Sequence, residues 1–514
     1  MTLEIPRYFF ALFLAVAAAG CVAPGVKISG DSAALDTSPK PGEGFVAFKV
    51  VTTRPMSALR GKWTGAIVEI KSTGTTVELV DFGDRASPGS LFFARLDQGE
   101  YQIKQLQSIG PGGGLLVTVA MSDYEDMRAH IGTFAVKSGS LTNLGTIVIA
   151  PGESGKPSTV EYLAGEIGRK SVTEDLEVRT KQKLALPQIS GPKGGMSAAD
   201  EEKALARSRG RVSILTAGDD AQRSPVFGGA TLGQIVTRDA RGSWQALFLD
   251  SLEDVTYARR LADGTLIAGL PQARYAVRKP GQPWKVLALP NVSGRILHVD
   301  TTESGALFVV AGAESISVVY RASLDQDNSE TRVLTTLSPP LVQSLIVPLD
   351  DRLVLLQNIP GFSRTAEVRI VDKKSLEVKT ANYDFWVRSW YRLPSGLLFV
   401  SRVNGLSTYV STSRDNGVTW VHTEGVGPSS IYFMDERKGY GTDWIPGAIS
   451  PTTRLTKSGD GGKTWEATGV ELDAAGGRVV WASPQEVIVA GGFQLFSTAD
   501  EGKSWKRILP REAN

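Results

Sequence analysis

Residues 413–420 read Ser413-Arg414-Asp415-Asn416-Gly417-Val418-Thr419-Trp420. The same pattern, [ST]-x-D-x-G-x-[ST]-W, returns as Ser458-Gly459-Asp460-Gly461-Gly462-Lys463-Thr464-Trp465 and as Thr498-Ala499-Asp500-Glu501-Gly502-Lys503-Ser504-Trp505. Successive aspartates are 45 and then 40 residues apart, and average residue usage does not produce three such matches by chance. A repeat of this length is typical of β-propellers, in which each repeat forms one four-stranded blade.

Each copy of the motif is predicted to close a hairpin turn. The aspartate carboxylate can accept hydrogen bonds from backbone N–H groups ahead of it, and glycine supplies the positive φ that such a turn requires. The hydroxyls are expected to satisfy further turn amides, and each tryptophan to pack toward the next blade. The residues with these structural roles are Ser413, Asp415, Gly417, Thr419, Trp420, Ser458, Asp460, Gly462, Thr464, Trp465, Thr498, Asp500, Gly502, Ser504 and Trp505.

These three motifs resemble the Asp-box, or BNR, repeats of sialidases, sortilin-type receptors and photosystem II assembly factors. In that family the boxes lie on the face away from the usual ligand site, so the resemblance implies a structural role for them. It implies a propeller fold without implying one function, because one fold hosts many functions.

Weaker signals extend the repeat toward the N-terminus. Residues 237–244 keep the Asp-to-Trp offset and residues 281–284 keep a Gly and a Trp, whereas no Trp marks the repeats around 321–337 and 371–381. A second series of turns, followed by apolar strands, recurs every 41–47 residues at Asp263-Gly264, Ser304-Gly305, Asp350-Asp351, Ser395-Gly396, Lys438-Gly439 and Gln485-Glu486. Together with a first repeat near 212–248, this spacing predicts a roughly seven-bladed propeller over residues 211–514.

The first residues resemble a bacterial lipoprotein signal peptide, residues 1–20. After Arg7, an apolar stretch from Tyr8 to Ala17 is too short to span a bilayer but suits a secretory signal. Ala18-Ala19-Gly20 before Cys21 resembles the lipobox, which implies acylation of Cys21 and a stable membrane anchor. By the family's sorting rule, Val22 in place of Asp favours the outer membrane over the inner membrane of the cell envelope.

The lipobox match has two departures. Ala18 stands where Leu is commonest, and Glu4 reduces the positive charge ahead of the apolar stretch. An ordinary cleaved signal, or a membrane anchor with a buried cysteine, is therefore the alternative.

The cysteine and histidine content and the net charge argue against several kinds of functional site. Cys21 is the single cysteine, and the three histidines, His130, His298 and His422, are far apart in sequence, which excludes a disulfide framework and argues against a His/Cys metal site. We therefore predict no metal and no cofactor. A net charge of +2 without a strong basic run gives no indication of nucleic-acid binding.

Three segments are predicted between the signal peptide and the propeller. Residues 21–43 are rich in Gly, Ser, Pro and Asp and indicate a flexible tether. Residues 44–150 contain short strand-like stretches with turns between them and predict a β-sandwich. Residues 151–210 have few aromatics and predict a partly helical linker, with one helix capped by Ser197 and another within 161–183. The chain is thus predicted to be all-β, a small N-terminal β-sandwich followed by the propeller.

The predicted sandwich also carries a resemblance. Its hairpin Asp97-Gln98-Gly99-Glu100-Tyr101 and its late strand, with Gly139 and Gly145, are similar to the transthyretin-like and carboxypeptidase-regulatory-like modules of bacterial surface lipoproteins. The resemblance implies a spacing or docking role.

The densest aromatic and basic stretch of the propeller is Tyr383–Arg392. It contains Trp386, Arg388, Trp390, Tyr391 and Arg392, and Trp, Tyr and Arg are the residue types that carry most interface energy. We predict these five residues as a candidate binding surface. The alternative is that they form the inner strand of the fifth blade and are buried against its neighbour. Trp444 is a weaker candidate of the same kind.

Two functions remain open at this level. The favoured one is a membrane-anchored, non-catalytic binding or assembly platform for an unknown envelope protein or glycan. The other is a sialidase-like exo-glycosidase acting on surface or environmental glycans, which needs an arginine triad, a Tyr–Glu pair and an Asp acid/base. Tyr391-Arg392-Leu393-Pro394 resembles the first arginine motif of sialidases, but it falls in the fifth blade, where too little chain follows to supply the other residues.

Overall fold

The computed structural model describes most of the chain after the predicted signal peptide. The described residues are 26–28, 39–53, 63–82, 89–109, 116–120, 132–150, 159–180, 188–190, 196–212, 214–218, 227–238, 243–312, 315–337, 344–359, 365–404, 407–446, 452–474, 476–491 and 494–509. Cys21 and the predicted signal peptide, residues 1–20, lie outside them.

The N-terminal module consists of two β-sheets and two helices. One sheet has the order β1-β4-β3-β6-β7, with β8 also paired to β6, and the other has the order β10-β9-β2-β5, with β11 also paired to β9. The strands are β1 (Val26–Ile28), β2 (Glu43–Thr52), β3 (Trp63–Ile70), β4 (Thr76–Val80), β5 (Ser90–Asp97), β6 (Gly99–Ile109), β7 (Leu116–Ala120), β8 (Thr133–Val136), β9 (Leu141–Ala150), β10 (Thr159–Leu163) and β11 (Gln188–Ser190). The helices are α1 (Glu166–Thr180) and α2 (Ala198–Arg209). The predicted strands and both predicted helices are confirmed.

Strand β2 is covered on both of its faces, and this sets the order of the layers in the module. Its residues alternate between two apolar clusters, with Val46 and Phe48 in the core between the sheets and Phe45 and Ala47 in a second cluster on the outer face. Helix α1 covers that outer face, because its Val172 belongs to the second cluster. A strand covered on both faces needs apolar residues at consecutive positions, which accounts for the unbroken run in the sequence.

Two segments that the sequence assigns to tether and linker contribute to this packing. Residues Val26–Ile28, within the predicted tether, pair in parallel with Val77–Leu79 of β4. Residues 151–210 supply β10, which pairs with β9, and helix α1 on the sheet. The linker prediction missed this because α1 buries small and polar residues, such as Gly168 and Asp175, as well as the apolar Val172 and Leu176. This mixture leaves only a weak apolar periodicity in the sequence.

The rest of the described chain forms seven sheets, each of four consecutive antiparallel strands. The first three blades are β12 (Ile214–Gly218), β13 (Phe227–Ala230), β14 (Gln234–Arg238), β15 (Trp244–Phe248); β16 (Tyr257–Arg260), β17 (Leu266–Gly269), β18 (Arg274–Arg278), β19 (Lys285–Ala288); and β20 (Arg295–Thr301), β21 (Ala306–Ala311), β22 (Ile316–Arg321), β23 (Thr331–Leu337). The fourth and fifth are β24 (Ser344–Pro348), β25 (Arg352–Asn358), β26 (Ala366–Asp372), β27 (Val378–Tyr383); and β28 (Trp386–Arg392), β29 (Leu398–Asn404), β30 (Ser407–Ser413), β31 (Val421–Val426). The last two are β32 (Ser430–Phe433), β33 (Gly439–Ile445), β34 (Thr452–Ser458), β35 (Glu466–Leu472); and β36 (Arg478–Ala482), β37 (Val487–Gly491), β38 (Gln494–Thr498), β39 (Lys506–Leu509). The predicted all-β fold with a seven-bladed propeller is confirmed.

Side-chain contacts join the first and last blades and close the ring. In the described residues, the first sheet contains β12–β15 and the last contains β36–β39. Between them, Arg478 donates to Ala217 O at 2.6 Å, and Arg238 forms an ion pair with Glu486. Apolar residues of both blades, among them Val236, join one buried cluster. The first strands of neighbouring blades contact one another, which places them closest to the axis.

The alternation of strand direction defines two faces of the disc. Turns between the first and second strands of a blade, and between its third and fourth strands, lie on one face. Because all three Asp-boxes join a third strand to a fourth strand, we call this the box face. Loops between second and third strands, and the links between blades, lie on the opposite face.

The N-terminal module sits on this opposite face, which we call the module face. Thr231, in the loop between β13 and β14, donates to Thr53 O at 3.1 Å. Gln272, in the corresponding loop of the second blade, donates to Asp175 Oδ1 at 3.0 Å. The Arg209 guanidinium lies over the Phe248 ring at 4.2 Å. The module therefore occupies the sector of the first two blades.

The third blade closes its outer turn without an Asp-box. Arg321 is fully buried and donates to three backbone carbonyls of this turn, those of Ser323, Gln326 and Asp327, and to Ala288 O of the second blade. An Asp-box gathers backbone N–H groups around a carboxylate, whereas this turn gathers carbonyl groups around a guanidinium. This inverted chemistry explains why the sequence pattern fades around residues 321–337.

Replacing Arg321 with leucine should destabilise the protein severely. The backbone carbonyls that accept hydrogen bonds from Arg321 would lose their charged donor in a buried site. Breaking such a buried network lowers the free energy of unfolding by about 3–5 kcal/mol. Urea unfolding followed by tryptophan fluorescence measures the loss. As a control, exposed Arg332→Leu on the next strand should change stability by less than about 1 kcal/mol; equal losses for both variants would contradict the role given to Arg321.

Candidate functional site

The three predicted Asp-boxes share the same hydrogen-bond geometry. In the first, Asp415 Oδ1 accepts from the backbone N–H groups of Val418 at 3.1 Å and Thr419 at 2.8 Å, and Asp415 Oδ2 accepts from Thr419 Oγ1 at 2.5 Å. Ser413 Oγ donates to Asp415 Oδ1 at 2.7 Å and accepts from Gly417 N at 2.8 Å. Gly417 has a φ of 87°. The Ser, Asp, Gly and Thr of this box therefore make the turn contacts that their chemistry predicts.

The second and third boxes repeat these contacts. Asp460 and Asp500 accept from the backbone N–H and the hydroxyl of the residue four positions later, Thr464 and Ser504, at 2.6–3.0 Å. Gly462 and Gly502 have φ values of 84° and 83°, and their N–H groups donate to Ser458 Oγ and Thr498 Oγ1. The boxes are structural turns on the box face.

The box tryptophans pack against the preceding blade, and the prediction that they pack toward the next blade was wrong. The Trp420 ring meets Tyr383, the last residue of the fourth blade, with ring centroids 6.0 Å apart. Trp505 Nε1 donates to Val470 O of the sixth blade at 3.2 Å. Trp465 joins a cluster with Val410 of the fifth blade. The reason is geometric: the turn brings the fourth strand of a blade back across the outer edge of its predecessor.

The five candidate binding residues lie on β28, the inner strand of the fifth blade. Trp386, at the start of β28, lies on the module face, where its Nε1 donates to Ile359 O at 2.9 Å. Trp390 packs into the apolar cluster between the fourth and fifth blades, and the Tyr391 ring lies 4.3 Å from that of Tyr432 on the sixth blade. The structure thus divides the stretch, since Trp390 and Tyr391 support blade packing.

Arg392 lies at the box-face end of β28. Its Nη1 and Nη2 donate to Asp350 Oδ1 and Oδ2 at 3.0 and 2.7 Å. Asp350 belongs to the turn between the first and second strands of the fourth blade. The arginine of the Tyr-Arg-Leu-Pro motif therefore uses its paired donors on a carboxylate of the chain itself.

Arg388 is the exposed member of the stretch. It lies at a β-bulge, where the register of β28 with β29 shifts between Val387 and Ser389. Bulges re-aim side chains and recur next to functional sites. The Arg388 guanidinium donates to Ser429 Oγ at 2.9 Å, and Ser429 N in turn donates to Asp443 Oδ1 at 3.1 Å. Burial raises the pKa of Asp443, while the positive charges of Arg454 and Arg388 oppose the rise.

Together these residues define a module-face patch, consisting of Ile359, Trp386, Arg388 and Ser429. Ile359 is 41% exposed, and Arg388 is exposed on the same strand as Trp386. Trp444, which is 55% exposed, lies near the same face at the end of β33. The patch is formed by the fourth to sixth blades. It lies outside the sector of the first two blades, which the N-terminal module occupies.

A buried charge cluster between the module and the propeller was not anticipated from the sequence. Asp175 accepts from Arg179 Nε at 2.8 Å and from Gln272 Nε2 at 3.0 Å, and Lys49 Nζ lies 3.4 Å from its carboxylate. Burial would raise the pKa of Asp175, but Lys49 and Arg179 outweigh it and hold the pKa well below its usual range. No sequence signal reveals the cluster because Lys49 and Asp175 are far apart in the chain.

The propeller side of the cluster contributes a second carboxylate. Asp254 is 7% exposed, lines a small cleft with Lys49, and its Oδ1 has no hydrogen-bond partner in the structure. Burial raises the pKa of Asp254 to about 7; Lys49 lowers it and the neighbouring Glu253 raises it further. Glu253 itself pairs with Arg274. Charged pairs of the module and of the propeller thus lie side by side at the junction, together with the protonatable Asp254.

Among the described residues, no group of three or more His, Cys, Asp or Glu side chains could hold a metal ion. No helix in this part of the chain has the length and apolar character needed to cross a bilayer.

No protein-family model and no curated protein matches this chain. Several solved β-propellers are similar to it in fold. The β-propeller domain of Cps50 (Swd1) from Myceliophteria thermophila is 10% identical, with a TM-score of 0.40, over 56% of this chain and 97% of that one. YCF48 bound to D1 peptide is 14% identical, with a TM-score of 0.39, over 55% and 92%. Virginiamycin B lyase from Staphylococcus aureus is 10% identical, with a TM-score of 0.37, over 56% and 96%. The propeller assignment rests on the seven four-stranded sheets themselves.

Because of the Asp-box carboxylates, the folded protein should lose stability at strongly acidic pH. Burial would raise the pKa of Asp460, but hydrogen bonds from Thr464, Ser458 and Lys463 lower it from 3.8 to about 2. A lowered acid pKa contributes stability that is present above the unfolded-state value and is lost as the pH falls through the folded-state value. Asp460→Asn should therefore lose about 1 kcal/mol at pH 7, on the scale of a helix-capping side chain.

Urea midpoints at pH 7 and near pH 2 test this expectation. The difference in urea midpoint between Asp460→Asn and the unchanged protein should be smaller at the lower pH. Exposed Asp473→Asn serves as the control and should follow the unchanged protein at both values. A difference that stays constant with pH would contradict the electrostatic account of the box.

Asp254 should have the opposite pH dependence. Its folded-state pKa, about 7, exceeds the ordinary value of 3.8, so the folded protein retains a proton that the unfolded chain releases. Stability from this group is present below about pH 4 and is lost as the pH rises to about 7. Asp254→Asn, which stays neutral, should therefore gain stability relative to the unchanged protein between pH 5 and pH 8.

Urea midpoints at these two pH values provide the measurement, and exposed Asp250→Asn in the same link between blades is the matched control. If Asp254→Asn and Asp250→Asn respond alike to pH, the buried acid does not govern the interface.

Proposed function

We propose that this protein is a lipid-anchored protein of the cell envelope that binds a protein partner through the module face of its propeller. The observation that carries this proposal is the module-face patch, in which Arg388 is exposed at a bulge and Trp386 is hydrogen-bonded to the exposed Ile359. Arginine and tryptophan contribute disproportionately to interface energy when a partner desolvates them. Loops held on a rigid scaffold are where binding residues concentrate.

The way in which the N-terminal module sits on the propeller supports this use of the face. The module already packs against the loops of the first two blades through hydrogen bonds and an apolar cluster. The module face therefore has the loop geometry needed to hold a folded surface. The patch lies in the sector that the module leaves uncovered.

The proposed anchor is Cys21. Its support is the lipobox resemblance, with the apolar stretch and small residues before the cysteine. Acyl chains on this residue would hold the folded part at a membrane of the envelope, and the residue after it favours the outer membrane.

The sialidase-like alternative receives less support. Arg392, which resembles the first sialidase arginine, is paired with Asp350 on the box face. A substrate carboxylate would have to displace that side chain. The binding function is therefore the conclusion that the geometry favours.

Cross-linking in intact cells tests the proposal. The full-length lipidated protein is compared with Cys21→Ser and with a Trp386→Ala, Arg388→Ala double variant, while Val418→Ser on the box face is the matched surface control. We expect one envelope protein to be recovered in stoichiometric amount with the unchanged protein and the Val418→Ser control, and at least about tenfold less with the double variant, as the loss of two interface anchors implies.

Circular dichroism of the double variant establishes that the fold is retained. Recovery that is unaffected by the double substitution would overturn the assignment of the patch. Release of sialic acid from glycans by the purified protein would instead favour the glycosidase.

A further inference from the structure

We infer that the N-terminal module is a rigid spacer that turns the module face of the propeller toward the lipid surface, so that the partner of the patch is held in the same membrane. This inference rests on the proposed lipid anchor at Cys21 and specifies the class of partner. Three features of the described residues carry it: the position of β1, the direction of β2 and the seat of the module on the propeller.

The first feature fixes where the chain leaves the module. Val26 pairs with Val77, which follows the turn Lys71–Thr75 between β3 and β4. Cys21 lies five residues before Val26, and five residues extend at most about 18 Å. An acylated Cys21 therefore holds the end of the sheet that carries this turn close to the lipid headgroups. Lys71 in this turn is exposed. The stretch between Cys21 and Val26 is too short to act as a long tether.

The second feature places the propeller at the opposite end of the module. At the β3–β4 turn, Lys71 N donates to Glu100 O, beside the start of β6. Gly139 N donates to Glu43 O at the start of β2, and Glu43 pairs with Asp97, just before β6. The start of β2 is thus at the anchor end. The other end of β2 leads to Thr53, whose carbonyl accepts from Thr231 of the propeller.

The length of β2 sets the height of the propeller. β2 contains ten residues, and a strand of this length spans about 33 Å. The module therefore separates its anchor end from the propeller by roughly the length of one strand. The interface is held by the hydrogen bond from Gln272 to the buried Asp175 and by the apolar cluster that contains Val51 and Leu252, so the spacing is maintained by packing.

The third feature gives the direction of the patch. In the described part of the chain, the module contacts the propeller on the module face, at Thr231, Gln272 and Asp254. With the module between the propeller and the anchor, that face is turned to the membrane and the box face is turned away. The patch at Trp386 and Arg388 thus opens onto a gap about as high as the module, about 33 Å. A partner that fills this gap is the exposed part of a protein embedded in, or anchored to, the same membrane.

Energy transfer to lipid measures this orientation directly. Val421 and Val426 are exposed residues at opposite ends of β31, the outer strand of the fifth blade, and are 72% and 63% exposed. Val426 is at the module-face end and Val421 is toward the box face. The two positions are separated by about 17 Å along the strand. Because the chain has one cysteine, which acylation blocks, Val421→Cys or Val426→Cys provides a unique thiol for a donor dye.

The labelled full-length protein is reconstituted in phosphatidylethanolamine–phosphatidylglycerol vesicles that contain an acceptor-labelled lipid. We expect severalfold stronger transfer from position 426 than from position 421. Equal transfer from both, or stronger transfer from position 421, would overturn the inference. A third donor, at Thr73→Cys in the β3–β4 turn, should give the strongest transfer of all.

Two controls separate this inference from the proposed function. Inserting about 20 Gly and Ser residues between Val22 and Ala23 gives a flexible tether and should abolish the difference between positions 421 and 426. Thiol labelling of the protein without an introduced cysteine reports free Cys21, and strong labelling would refute the anchor and this inference with it. Failure of the transfer order alone, with Cys21 blocked and partner recovery intact, would refute the orientation and leave the proposed function standing.

Discussion

Apolar packing between adjacent blades is the interaction on which the rest of this structure depends. Each sheet of four strands exposes apolar side chains on both of its faces, and it can bury them only between two neighbours. The ring must therefore close, and here it closes through side chains between the first and last blades, including the Arg238–Glu486 pair. Every loop on either face is positioned by this closed core.

The turns between third and fourth strands show how different chemistries serve the same constraint. In three blades a carboxylate such as Asp460 collects backbone N–H groups, whereas in the third blade the buried Arg321 collects backbone carbonyls. Both arrangements satisfy polar groups that the turn would otherwise leave unpaired. The box tryptophans add contacts to the preceding blade and so couple each turn to the ring.

The junction between the module and the propeller is held partly by buried charges. Lys49 and Arg179 compensate Asp175, while Asp254 remains buried beside them with a raised pKa. The hydrogen bond from Gln272 to Asp175 joins this cluster to the second blade. The resulting arrangement of the two domains leaves the patch at Trp386 and Arg388 uncovered.

The sequence by itself determined the blade repeat, the turn contacts of the Asp-box Asp, Gly and hydroxyl residues, the strands of the module and both helices, because each depends on short-range hydrogen bonding or on local periodicity. It also singled out the stretch containing Trp386 to Arg392, but not which of its members are exposed. Only the tertiary structure decided that Trp390 and Tyr391 pack between blades, that Arg392 pairs with Asp350 and that Arg388 faces solvent. It alone placed Val26–Ile28 and α1 in the module and brought Lys49 to Asp175. These features arise from contacts between residues distant in the chain, and such contacts leave no periodic signal in the sequence.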